Sequence, residues 1–213
     1  MTDLAIARQK WIELGTVMGW TGDTAPTPNP AMPRTIAWGA RVSQAFRDRV
    51  CWIADALGFN PSWLMACIAF ETGRTFSAAA RNPASSATGL IQFMDATAKG
   101  LGTTTQALAA MTAEDQLRYV FRYLENIVKA FGPIRSLADC YMAILWPKGI
   151  GRTPDDVIFA PGSTAYRVNK GLDLDRDGDV EIREAVSRIE NILSEGCQPG
   201  NVWSGLVDTG IRP

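Results

Sequence analysis

Not one of the 213 residues is a histidine. That excludes Ser-His-Asp hydrolases, Cys-His amidases and peptidases, and zinc enzymes with imidazole ligands. Carboxylate chemistry, which needs no imidazole, survives the exclusion. Long apolar runs are missing too. The longest, Trp63 to Phe70, falls far short of the roughly 20 residues that span a bilayer, so no stable membrane insertion is expected. Nor is there an excess of either charge: 21 basic residues stand against 22 acidic ones, for a net charge of -1. Such a balance leaves no footprint for nucleic acid or an anionic membrane surface. The opening Met1-Thr2-Asp3-Leu4-Ala5-Ile6-Ala7-Arg8 lacks the basic segment and apolar core of a secretory signal. Cysteine is sparse, and Cys51, Cys67, Cys140 and Cys197 form no CxxC pair. The first three sit in apolar helical patterns and read as reduced thiols packed as small hydrophobes. A Cys51–Cys67 bridge is the alternative.

What is present describes a globular protein. Hydrophobic residues make up 46% and charged residues 20%, enough for one domain with appendages. Leu4, Ala7, Trp11, Leu14 and Met18 trace a helical stripe, and four prolines between Thr21 and Pro33 mark a linker or an extended arm. A second helical pattern runs from Thr35 to Leu57. Asp95 reads as the N-cap of a short helix stopping at Gly100. Thr112-Ala113-Glu114-Asp115 opens the longest helix, which ends at Gly132-Pro133, and Ser136 caps another that Pro147 stops. Ser163 to Val168 suggests one or two helical turns. No period-2 strand stands out, so the class is mainly α. The organisation expected is an arm over 1–34, a helical domain over 35–160, a loop and helix over 161–196, and a loosely held tail over 197–213.

The stretch from Asn60 to Gln92 carries the chemistry. Asn60 and Pro61 start a helix, and Trp63 to Phe70 gives it no polar face, which belongs in a protein interior. It ends on Glu71, followed by Thr72-Gly73-Arg74. A lone carboxylate at the C-terminal end of a buried helix meets both desolvation and the carbonyl end of the dipole. Both raise its pKa, as a general acid requires. The bland alternative is a solvated Glu that happens to follow an apolar helix.

Eighteen residues beyond Glu71 stands Gly89-Leu90-Ile91-Gln92, preceded by Asn82-Pro83-Ala84-Ser85-Ser86-Ala87-Thr88. Together with Glu71 and Cys140-Tyr141-Met142-Ala143-Ile144, this resembles the soluble lytic transglycosylases of phage type and the related goose-type lysozymes. The resemblance covers roughly Arg41 to Leu145. It departs from the family pattern at Pro83 and Ser86, which stand at a serine and a glycine position, and at Met142 and Ile144, which replace an asparagine and a glycine. What it implies is a lysozyme-like fold and Glu71 as catalytic acid. It also implies substrate contacts from Gln92, Tyr141, Gly89, and one or more of Asn82, Ser85 and Ser86. The implied partner is bacterial peptidoglycan, cut between N-acetylmuramic acid and N-acetylglucosamine. The expected mechanism uses one carboxylate; a hydrolysing muramidase, or a wall-binding or virion module without turnover, are the alternatives. With no signal expected, the enzyme would be made in the host cytoplasm as a monomer. It would reach the wall by phage-mediated release or inside a virion.

A second motif follows. Asp173-Leu174-Asp175-Arg176-Asp177-Gly178-Asp179-Val180-Glu181-Ile182-Arg183-Glu184 fits the twelve-residue EF-hand calcium loop. Asp173, Asp175 and Asp177 fill positions 1, 3 and 5, Gly178 the turn, Asp179 position 7 and Glu184 position 12. So many carboxylates in one loop repel each other unless a cation lies among them. The loop is solitary, which suggests a structural Ca²⁺ clip rather than a sensor. Trp52 and Trp63 read as core and Trp146 as facing a groove. A hydrolytic mechanism would need a second carboxylate, and Asp95, Glu114, Asp115 and Asp139 are the candidates.

Overall fold

The computed structural model describes residues 32–83 and 85–210. The helix expected over 2–18 and the arm up to residue 31 lie outside them. The described chain is mainly α, with eight α-helices, as expected.

The core forms around α2, Pro61–Glu71. Asn60 Oδ1 accepts the Ser62 N–H at 2.9 Å, and Pro61 at the first helical position has no N–H to leave unpaired. Leu64, Met65, Ala66, Cys67, Ile68 and Ala69 are all fully buried. A helix so enclosed needs neighbours on every side. They are α1 (Gln44–Leu57), α6 (Leu137–Leu145) and α8 (Ile182–Gly196). Each large apolar side chain sealed there contributes about 2 kcal/mol. The longest helix, α5 (Ala113–Phe131), packs on α1, its start fixed by Thr112 Oγ accepting the Asp115 N–H. Two short helices, α3 (Asp95–Gly100) and α4 (Thr105–Ala109), precede it.

Several boundaries differ from the sequence reading. Helix α1 begins at Gln44 with Ser43 as its cap, because Thr35 and Ile36 belong to a strand and Gly39–Arg41 to a 3-10 turn. Met94 occupies the N-cap of α3, and Asp95 is its first helical residue. The short helix expected near Ser163 is α7, Thr164–Asn169.

Strands also appear where none was expected. β1 (Met32–Ile36) pairs antiparallel with β4 (Trp203–Val207), joining the two ends of the described chain. Trp203–Val207, within the segment expected to be a loose tail, is therefore part of the fold. Arg47 lies 4.4 Å over the Trp203 ring, and Ile36 and Val207 are fully buried. Trp38, held at φ 62, donates its indole N–H to Ile192 O at 2.9 Å, while its backbone N–H donates to Gly196 O at 3.0 Å. A Cβ on Gly196 would overlap that indole. The end of α8 is thereby locked to the loop after β1. The second pair is β2 (Val157–Phe159) with β3 (Val180–Glu181), the latter lying inside the acidic loop.

Candidate functional site

Glu71 is the last residue of α2, and the chain leaves it through a tight turn. Thr72 caps Ile68 O with both its N–H and its hydroxyl, at 3.0 and 2.7 Å. Gly73 N–H and Arg74 N–H reach Phe70 O and Ala69 O. The Ile68, Ala69 and Phe70 carbonyls are thus satisfied, which blunts the dipole effect expected from unpaired carbonyls. Desolvation remains, and it pushes the half-buried Glu71 carboxyl up to about 7. Among the described residues Glu71 makes no ion pair and no hydrogen bond through its carboxyl.

Tyr141, on α6, is the predicted site residue that the fold brings to Glu71. Its ring packs edge-on to Phe70 at 5.7 Å. Burial first, and the Glu71 charge second, push its hydroxyl well above the usual tyrosine range. No hydrogen bond joins the two residues. Arg74, at φ 69 in the turn after Glu71, grips Glu195 of α8 through two nitrogens at 2.6 to 3.0 Å. The turn is thus pinned to the helix that leaves the acidic loop.

The Gly89-Leu90-Ile91-Gln92 segment forms a turn between Thr88 and Phe93, which bridge to each other. Gly89 sits at φ 86. Its conformation is set by Gln116, a fully buried side chain of α5 that the sequence reading missed. Gln116 Oε1 accepts the Leu90 N–H at 2.6 Å, and Nε2 donates to Ala78 O and Leu108 O at 3.1 and 2.9 Å. A Cβ on Gly89 would overlap that amide. Gln92 turns its own amide back onto Gly89 O and Ala80 O at 3.0 and 3.3 Å. Ser85 Oγ accepts the Ala87 N–H and Ser86 Oγ the Asp95 N–H. Asn82 lies exposed in the same loop. No hydrogen bond ties Gln92, Ser85 or Ser86 to Glu71.

The four candidate second carboxylates are committed elsewhere. Asp95 accepts from Thr105 Oγ1 at 2.6 Å and Glu114 from Ser43 Oγ at 2.5 Å. Asp115 pairs with Arg49 at 3.3 Å. Buried Asp139 accepts the Arg135 and Gly151 N–H groups at 2.9 and 2.8 Å. Trp146 packs against Phe159, with Arg152 over its ring at 5.5 Å. All four cysteines are free, and the neighbour of Cys67 is Cys140, Sγ to Sγ 3.9 Å, rather than Cys51.

No family model and no curated protein matches the chain.

The acidic loop gathers two groups of side chains that could hold a metal ion. Asp173, Asp175 and Glu184 form one; Asp177, Asp179 and Glu181 form the other. Within each, ligand oxygens lie within 4.8 Å of one another. Gly178, at φ 103, makes the turn that its position demands. Asp173 accepts the Arg176 and Gly178 N–H groups and the Tyr166 hydroxyl, the last at 2.7 Å. That hydroxyl holds its carboxyl below the usual range. Glu184 accepts the Leu174, Asp175 and Glu181 N–H groups. Burial works against its charge, but those donors win and hold it below the ordinary value. Glu181, at loop position 9, is the member that the sequence reading left out. It is 8% exposed, and its Oε2 has no partner. The adjacent Glu184 carboxylate, then burial, push it up to about 7. Asp179 Oδ1 is likewise buried and unpartnered. These orphaned oxygens fit a bound cation. No helix among the described residues is long and apolar enough to cross a membrane.

Proposed function

We propose that the protein cleaves peptidoglycan between N-acetylmuramic acid and N-acetylglucosamine, with Glu71 as its single acid and base. The observation that carries this reading is the placement of Glu71. It is a half-buried carboxyl at the end of an apolar helix, beside Tyr141, with no cation or second carboxylate engaging it among the described residues. A carboxyl kept protonated near neutrality can protonate a glycosidic oxygen. A hydrolase of the two-carboxylate kind needs a partner acid roughly 5 to 9.5 Å away, and the four candidates are tied up in structural roles. Without such a partner, the substrate's own 2-acetamido group would stabilise the cation formed as the bond breaks. Glu71, now a carboxylate, would take the proton from the C6 hydroxyl, and O6 would close onto C1 as a 1,6-anhydro ring. The fold would be lysozyme-like and the acidic loop EF-hand-like. Ca²⁺ held by Asp173, Asp175, Asp177, Glu184 and the Asp179 carbonyl would be structural, screening carboxylates that otherwise repel. We further propose that the protein reaches the wall as a phage product, through lysis or within a virion.

Mass spectrometry of fragments released from purified sacculi tests the reaction. Anhydro-muramic ends are expected. Reducing muramic ends would make the protein a muramidase instead. Binding without any released fragment would make it a wall-binding module and overturn the catalytic reading.

A further inference from the structure

An open cleft of about 630 Å³ lies at the opposite end of α2 from Glu71. Its walls include Asp55, Asn60, Trp63, Pro133, Ile134 and Arg135. From Trp63 to Glu71 the helix advances roughly 12 Å, so this cleft is separate from the candidate catalytic end. Among its side chains, the acceptors are engaged and the donors are not. Asp55, the carboxylate present, has both oxygens taken by Arg34 at 2.7 and 2.8 Å. Asn60 Oδ1 is occupied by the Ser62 N–H. The donors, by contrast, are free among the described residues. The exposed Arg135 guanidinium makes no ion pair, and neither the Asn60 amide nitrogen nor the indole N–H of half-buried Trp63 is engaged. Pro133, Ile134 and the Trp63 ring supply apolar surface beside those donors. A site with unengaged side-chain donors beside an aromatic wall suits a ligand carrying a carboxylate on a ring-bearing frame.

We propose that this cleft is a second binding site of the enzyme, taking the carboxylate-bearing part of the same wall polymer: a saccharide unit with its lactyl-peptide carboxyl. The assignment of ligand rests on the peptidoglycan reading above. Arg135 pairs with the carboxylate, the Trp63 ring lies against the sugar or peptide, and the Asn60 amide donates to an acceptor oxygen. A strand anchored here would be held while Glu71 acts about 12 Å further along the helix.

The test uses the full chain with Glu71→Gln, so that ligand is not consumed. The indole ¹⁵N–¹H resonance of Trp63, assigned by its loss in Trp63→Phe, is followed as a soluble disaccharide-peptide carrying a free carboxylate is added. A neutral chitotetraose is titrated in parallel. The expected result is a saturable shift with the acidic fragment, weakened about tenfold in Arg135→Ala and partly restored in Arg135→Lys. Chitotetraose should shift it far less. An indole that does not move overturns the proposal. Equal shifts with chitotetraose, or an unchanged affinity in Arg135→Ala, overturn the carboxylate assignment and with it the site as proposed. The two readings separate cleanly. Wild-type cleavage of sacculi with a silent Trp63 leaves the catalytic reading standing alone. An Arg135-dependent shift in a protein that releases no fragments leaves this site standing without the catalysis.

Discussion

Glu71 and the loop from Asp173 to Glu184 solve opposite problems with the same functional group. Glu71 is one carboxyl at the end of an apolar helix, with neither an ion-pair partner nor a hydrogen bond to its carboxyl among the described residues, and burial lifts its pKa to about 7. The loop packs six carboxylates into twelve residues and satisfies most of them with backbone N–H groups, tyrosine hydroxyl and arginine. A lone desolvated carboxyl favours its proton, whereas crowded carboxylates favour a cation among them. Helix α8 physically links the two, leaving the loop at Ile182 and ending beside the turn after Glu71, where Glu195 grips Arg74.

The sharpest way to break this contrast is Glu71→Gln. Turbidity clearing of purified sacculi is expected to fall about 10³-fold, while pull-down on the same sacculi is retained. Undiminished clearing would remove Glu71 from the chemistry. Gln116→Ala comes next. It strips partners from the buried Leu90 N–H and from Ala78 O and Leu108 O, and should lower stability in urea unfolding by about 3 kcal/mol. On the loop side, Ca²⁺ at a hundredfold excess over its dissociation constant should stabilise the protein by about 2.7 kcal/mol. The melting temperature would rise accordingly, chelator would reverse the rise, and Glu184→Gln would abolish it. A melting temperature indifferent to both Ca²⁺ and chelator contradicts the cation reading. Arg74→Ala should matter least: the pair with Glu195 is 47% and 40% exposed, and its loss is expected to cost under about 1 kcal/mol, less in high salt.

The helical part of this arrangement was legible because its signals are local. Asn60-Pro61, Thr112 and Ser136 each cap the helix that the sequence assigns to them, and the apolar run before Glu71 is interior from Leu64 to Ala69, with Trp63 and Phe70 half-buried at its ends. The β1–β4 ribbon was not legible. Thr35 meets Ser204 across 169 residues at 2.9 Å, and no local pattern encodes such a partner. Gln116 was hidden for the same reason. A glutamine on an amphipathic helix reads as surface until the fold brings Leu90, Ala78 and Leu108 around it. Glu181 could have been seen, since it holds position 9 of the loop, a place from which EF-hand ligands act. Within the acidic loop, β3 finds its partner in β2, a strand of the same chain.

The contrast turns most directly on whether Glu71 keeps its proton. A ¹³C NMR titration of the Glu71 side-chain carboxyl, assigned by its disappearance in Glu71→Gln, should show a midpoint at about 7. A raised folded-state pKa means that the native protein binds this proton more tightly than the unfolded chain. The stability it contributes is therefore full below the unfolded value near 4.5 and is lost as the pH rises through 7. Glu71→Gln should lack that slope. A midpoint near 4.5 would mean an ordinary solvated carboxylate, and the acid role assigned to Glu71 would be wrong.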